Sequence, residues 1–162
     1  RSTGEVMGLA SSFGTAFAKS QLGGGVVLPE TGKVFISVRD QHKPLMAEQA
    51  KILIDMGFTI MATGGTCKYL REQGLEVEYV KKAHEGRPNI VDEIKNGNIA
   101  LMFNTTSGKQ SLEDSFSLRR AALTQQVSYF TTAAAARASV EAIKDLRVNG
   151  YDVMSLQAYA KS

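Results

Sequence analysis

From Lys33 onward the chain alternates short β-branched or aromatic runs with segments of helical period, and few architectures satisfy that alternation. The runs are Val34–Val38, Phe58–Met61, Val77–Val80, Ile99–Phe103 and Val127–Phe130. Each is four or five residues long and bounded by turn-forming residues, as strands are. Between them, Lys43–Met56 carries Pro44 in its first turn, where a missing N–H costs nothing, and stops at Gly57. Cys67–Gln73 closes at Gly74 and Ile90–Lys95 at Asn96-Gly97, while Ser115–Gln126 and an Ala-rich Thr132–Leu146 complete the helices. Asp152–Tyr159 reads as a last edge strand. Strand–helix alternation of this kind predicts an α/β fold: a three-layer, Rossmann-like parallel sheet with helices on both faces. The helical spacing of Leu118, Ala122 and Leu123 predicts core packing.

Residues 1–30 do not share the pattern. Gly23-Gly24-Gly25 and Pro29 mark a boundary, and a helical spacing of Phe13, Phe17, Ala18 and Leu22 precedes it. Residues 1–30 are therefore read as the remnant of a preceding domain with a connecting helix, and residues 31–162 as one domain. Arg1 in place of an initiator methionine is expected of a piece of a longer protein. Composition narrows the function classes. With 19 Lys+Arg against 16 Asp+Glu and 7% aromatics without Trp, neither charge nor stacking surface argues for nucleic acid. A single cysteine, Cys67, excludes an internal disulfide or a cysteine-based zinc site and fits a reducing cytoplasm. No apolar run approaches the roughly 18 residues of a membrane span.

Two loops follow strands, and in an open parallel sheet the ligand crevice lies at the carboxyl ends of the strands. Thr63-Gly64-Gly65-Thr66 follows one strand, and Asn104-Thr105-Thr106-Ser107-Gly108 follows another. Glycines let the backbone approach an anion and hydroxyls add donors, so the pair describes a phosphate cradle. The plainer reading is a tight turn in which Thr66 caps a helix. Lys43 and Lys82 sit just past strands on the same edge and supply positive charge. The Asn104 amide suits a ribose hydroxyl. His42 and His84 lack metal-ligand spacing, and neither a G-x-S-x-G elbow nor a P-loop is present. Asp92-Glu93 reads as a solvated helix face, and Glu113-Asp114 as negative charge for the first turn of the helix after it. His84-Glu85-Gly86-Arg87-Pro88 reads either as a functional hinge or as a loop fixed by an Arg–Glu pair.

Ser37-Val38-Arg39-Asp40, Ala62-Thr63-Gly64-Gly65-Thr66, His84-Glu85-Gly86-Arg87-Pro88, Ile94-Lys95-Asn96-Gly97 and Asn104-Thr105-Thr106-Ser107-Gly108 carry a resemblance, continued by Glu113-Asp114-Ser115 and Arg119-Arg120. Together they resemble the C-terminal regulatory domain, of methylglyoxal-synthase-like fold, of carbamoyl phosphate synthetase large subunits. Ser2–Gly8 is similar to the end of the synthetase half before it. The resemblance implies an allosteric effector-binding domain, non-catalytic alone and without a cofactor of its own. Its parent ligase uses ATP with Mg or Mn to make carbamoyl phosphate from glutamine and bicarbonate, for pyrimidine and arginine biosynthesis. The implied partners are UMP or IMP, the rest of the large subunit, the small glutaminase subunit and a second copy in a homo-oligomer, with neither nucleic acid nor membrane. The implied effector site is Lys43, Thr63, Gly64, Gly65, Thr66, Lys82, Asn104, Thr106 and Ser107; Tyr129 and Thr131 match an ornithine site. Gly64 stands where some enteric enzymes carry His, and Lys109-Gln110 where they carry an Arg pair, so the resemblance leaves the choice of effector open.

The alternative is an enzyme, a methylglyoxal-synthase-type lyase acting on dihydroxyacetone phosphate. That chemistry needs a carboxylate base and a histidine beside the phosphate. The lyases carry a Gly-Gly-Asp loop; no such triplet occurs in this chain.

Overall fold

The computed structural model describes residues 28–105 and 108–149. Two compact units are seen, residues 31–133 and, by themselves, residues 28–30 with 134–149. The first holds the sheet. Its elements are β1 (Lys33–Ser37), α1 (Lys43–Asp55), β2 (Thr59–Thr63), α2 (Gly64–Glu72), β3 (Val77–Val80), α3 (Ile90–Lys95), β4 (Leu101–Asn104), α4 (Lys109–Gln125) and β5 (Ser128–Phe130). A single 3-10 turn, Asp40–His42, leads into α1. In the second unit lies almost all of α5 (Ala133–Asn149), where Ser139 Oγ donates to the Ala136 carbonyl at 2.8 Å and the Arg147 guanidinium to the Glu30 carbonyl at 2.6 Å.

All five strands are parallel, in the order β3-β2-β1-β4-β5. The pleat sends alternate side chains to opposite faces. Phe35, Met61 and Met102 share one face with Ile90 and Ile94 of α3 and with Leu118, Ala121 and Ala122 of α4. Val34, Ile36, Ile60, Ala62, Leu101 and Phe103 point the other way and are fully buried. α1 and α2 pack against β2, with Met46, Ala50, Leu53 and Leu70 inaccessible. The predicted sheet with helices on both faces is therefore the observed one.

Element order goes one way from β1 through β2 to β3, then jumps back across β1 to β4. This reversal opens a crevice outside the carboxyl ends of β1 and β4. The helix stops read from sequence hold: Gly57 and Gly74 take φ of +99° and +85°, conformations that favour glycine.

Several expectations need correction. α2 starts at Gly64, not Cys67, so Gly64-Gly65 is a first helical turn rather than a loop. The residue flanking α2 is Thr63, and its hydroxyl bonds Ser37 Oγ instead of a helix N–H; Thr66 is not a cap. α4 starts at Lys109, six residues before Ser115, with no acid in its first turn. Glu113 and Asp114 thus fall outside the turn where they would meet the helix dipole. Leu123 is 74% exposed and does not share the core with Leu118 and Ala122. Asp92 is no solvated face: it closes a capping box with Asn89. The helix expected near residues 13–22 and the strand expected at 152–159 lie outside the described residues. No described helix is long and apolar enough to cross a membrane.

Candidate functional site

The crevice at the β1/β4 reversal is a cleft of about 330 Å³. Its wall is made by Ser37, Val38, Arg39, Asp40 and Lys43 after β1, Thr63, Gly65 and Thr66 after β2, Lys82 after β3, Thr105 after β4 and Ser111 in α4. Three of these are cations and one is a carboxylate, so the wall carries an excess of positive charge. The size suits a small organic anion.

The β1–α1 segment owes its shape to hydroxyls from other strands. Val38 N–H donates to Thr66 Oγ1 at 3.1 Å, and Thr66 Oγ1 donates back to the Val38 carbonyl at 3.4 Å. Arg39 N–H donates to Thr105 Oγ1 at 2.9 Å, and His42 Nδ1 lies 3.1 Å from the same oxygen. Ser37 Oγ and Thr63 Oγ1 are 2.7 Å apart. Thr63, Thr66 and Thr105 are buried, and a buried hydroxyl must be partnered. These bonds satisfy backbone groups that no strand or helix uses and leave the Arg39 and Lys43 side chains to face the cleft.

Lys43 Nζ donates to Asp40 Oδ1 at 2.6 Å. That ammonium holds the Asp40 carboxyl below the ordinary carboxylate range. Lys43 also explains a glycine: a Cβ on Gly65 would come within 2.9 Å of Lys43 Nζ. The first turn of α2 thus offers backbone N–H groups beside the ammonium. Neither Arg39 nor Lys82 is ion-paired among the described residues.

The structure therefore brings Lys43, Thr63, Gly65, Thr66 and Lys82 together. It leaves out Gly64, which borders a shallow depression with Cys67, Lys68 and Arg71, where a side chain would meet open space. Asn104 sits one layer deeper, beside a cavity of about 30 Å³, and its Nδ2 donates to Ser115 Oγ at 3.0 Å and Tyr129 OH at 2.9 Å. The two Nδ2 hydrogens of the amide expected to hold a ribose hydroxyl are thus used within the fold. Thr106 and Ser107 lie outside the described residues. Tyr129 stacks beneath Arg119, 5.2 Å from its ring centre, and Thr131 is exposed beyond β5. Lys109 and Gln110 begin α4, where Gln110 Nε2 donates to Asp114 Oδ1 at 3.2 Å.

Sequence reasoning placed Thr105 only as part of the second cradle loop and did not assign Arg39, Asp40 or Ser111 to the site. The position of Arg39 and Asp40 directly after β1 was the available signal. Ser111 had none, because it lay in a segment not recognised as helix.

The β3–α3 loop is built differently. Asn89 Oδ1 accepts from Val91 N–H at 2.9 Å, Asp92 Oδ2 accepts from Asn89 N–H at 2.9 Å, and Asn89 Nδ2 donates to the Ala83 and Gly86 carbonyls. Arg87 donates to Asp92, at 2.6 Å to its nearer oxygen. The expected Arg–Glu pair is thus an Arg–Asp pair; Glu85 instead accepts from Lys82 N–H at 2.7 Å. His84 Nδ1 meets Asp114 Oδ2 at 2.6 Å, which ties this loop to α4. The Arg87 guanidinium and the Asn89 N–H lower the Asp92 carboxyl, while burial pushes the Cys67 thiol up.

A family model described as MGS-like domain matches residues 45–131. The carbamoyl phosphate synthase large chain of Myxococcus xanthus is 52% identical over 98% of this chain, and that of Rhizobium meliloti 50% over 98%. The chain spans only 15% and 14% of those relatives. Among solved structures, methylglyoxal synthase from Elizabethkingia anophelis NUHP1 aligns with a TM-score of 0.52 at 17% identity, covering 70% of this chain and 79% of that one. ForH aligns at 0.53 and 19%, covering 80% and 88%. At such identities these two speak for the fold alone. The chain belongs to the MGS-like domain family, in the form that carbamoyl phosphate synthase large chains carry.

Proposed function

We propose that the cleft binds the phosphate of a nucleoside monophosphate, UMP or IMP, and that this binding regulates carbamoyl phosphate synthesis by the large chain of which the domain is part. The observation that carries this reading is the convergence of Arg39, Lys43 and Lys82 on one wall with the first turn of α2, at the point where the strand order reverses. A phosphate monoester has several acceptor oxygens and about two negative charges, and it would be met by cations, hydroxyls and backbone donors together. Regulation follows if the large chain has two states that bind the nucleotide unequally; such couplings are typically about 1–3 kcal/mol. Ornithine at Tyr129 and Thr131, ATP with Mg or Mn elsewhere in the large chain, a small glutaminase subunit, homo-oligomerisation and a cytoplasmic setting belong to the same proposal, as expectations from family membership.

Lyase chemistry draws little support from the wall. Asp40, the one carboxylate there, is ion-paired at the mouth, and His42 Nδ1 is engaged by Thr105.

The test is carbamoyl phosphate synthesis by the large chain carrying this domain, assayed across UMP and IMP concentrations. A rate that responds to either nucleotide, with the response displaced at least tenfold in concentration by Lys43→Met, supports the proposal. A rate indifferent to both nucleotides contradicts it.

A further inference from the structure

Asp40 is the one negative group in a wall otherwise built for an anion. Its carboxylate occupies the nearest cation, Lys43, at 2.6 Å. The two partners are held unequally. The Lys43 side chain is only 16% exposed, with its ammonium where a Cβ on Gly65 would meet it at 2.9 Å, whereas the Asp40 side chain is 96% exposed. The backbone around Asp40 is fixed without its carboxylate: Arg39 N–H bonds Thr105, and His42 N–H bonds the Arg39 carbonyl at 2.9 Å. The carboxylate can therefore swing away at little cost, while the ammonium stays at the wall.

We propose that Asp40 is a tethered competitor for the anion, occupying Lys43 in the way a ligand phosphate would and thereby setting the affinity of the cleft. This rests on the reading of the cleft as a phosphate site. A phosphate that reaches Lys43 must break the ion pair and then tolerate the carboxylate's charge at the mouth. An exposed ion pair is a weak interaction, so the competition tunes affinity and does not block binding.

The experiment is calorimetric titration of the full 162-residue chain with UMP, inorganic phosphate and uridine, for the wild type, Asp40→Asn and Asp40→Ala. Thermal melts verify that the variants fold, as substitution of so exposed a side chain should allow. Both variants should bind UMP and phosphate about two- to fivefold more tightly than the wild type, with uridine unaffected. UMP affinity that is unchanged overturns the competition. UMP affinity that falls overturns it too, making Asp40 a group that positions Lys43 for the ligand. Binding by the variants with none by the wild type supports it in its strongest form. No binding of UMP or phosphate by any of the three proteins overturns the reading of the cleft itself, and this inference with it.

Discussion

Two segments leave the carboxyl edge of the sheet with a similar endowment of charge, and the fold spends them in opposite ways. The β1–α1 segment, Val38–Lys43, takes its backbone support from Thr66 and Thr105, which lie after β2 and β4. Arg39 and Lys43 both line the cleft; Arg39 has no ion pair among the described residues, and Lys43 pairs only with the exposed Asp40 carboxylate. The β3–α3 loop, Lys81–Asn89, is held largely by its own residues and the helix that follows: Asn89 bonds two of its carbonyls, Glu85 caps the Lys82 N–H, and Arg87 is consumed by Asp92 of α3. Only Lys82 at its root reaches the cleft. The more distinctive sequence, His84–Pro88, is thus a scaffold whose side chains are spent within the fold, His84 on Asp114 of α4 among them, and the plainer one carries the binding surface. A motif can be specific because its loop has few ways to fold, not because it touches a ligand.

Four perturbations would break or sharpen that contrast. The largest effect belongs to Lys43→Met, which removes a charge-assisted bond worth about 1.5–3 kcal/mol. UMP affinity, read by calorimetry, should fall by about ten- to a hundredfold, while the melting temperature barely moves. Thr66→Val comes next, because its hydroxyl serves the Val38 backbone. Orphaning that N–H should cost about 1–3 kcal/mol of stability, measured as a lower urea midpoint, with weaker UMP binding as a consequence. Asn89→Ala strikes the self-supporting loop, where losing the helix cap should cost about 1 kcal/mol of stability. UMP affinity should change little there, and an equal loss of affinity would erase the distinction between the two segments. Gly65→Ala acts only through space: its Cβ would displace the Lys43 ammonium, the movable end of a flexible side chain. Stability should hold or rise, since alanine suits a helix better than glycine, while UMP affinity drops severalfold.

The smallest effect is in pH. The folded Asp92 carboxyl lies below its ordinary value of 3.8 because Arg87 and the Asn89 N–H favour its charged form. The unfolded chain binds that proton more readily, so the contribution is present above the unfolded value and lost as pH falls through the folded one. Acid unfolding of Asp92→Asn should lack that part of the pH dependence below about pH 4.

The sheet was legible because each strand lies in a short apolar run, β-branched or aromatic, with a helical segment after it, and strand ends were placed within two residues. The helix starts were not. Gly64-Gly65 reads as a turn because glycine weakens helices, yet both lie in the first turn of α2, and at Gly65 a Cβ would meet the Lys43 ammonium. Lys109–Asp114 lacks a clear apolar stripe, and Leu112 and Phe116 remain exposed in α4, so its period gave no start. Within the site, Lys43, Lys82 and Gly65 were legible from position alone. The duties of Thr63, Thr66 and Asn104 were not, since each bonds a residue 11 to 28 positions away. Arg39 gave no signal of its own beyond its place after β1; the backbone beneath it is fixed by Thr105, 66 positions away.

The central claim, that this cleft reads a phosphate, is tested most directly by titrating the chain with UMP and, beside it, uridine. The prediction is saturable UMP binding with uridine silent. Uridine binding as tightly as UMP would contradict it, because the cations of the wall would then contribute nothing to recognition.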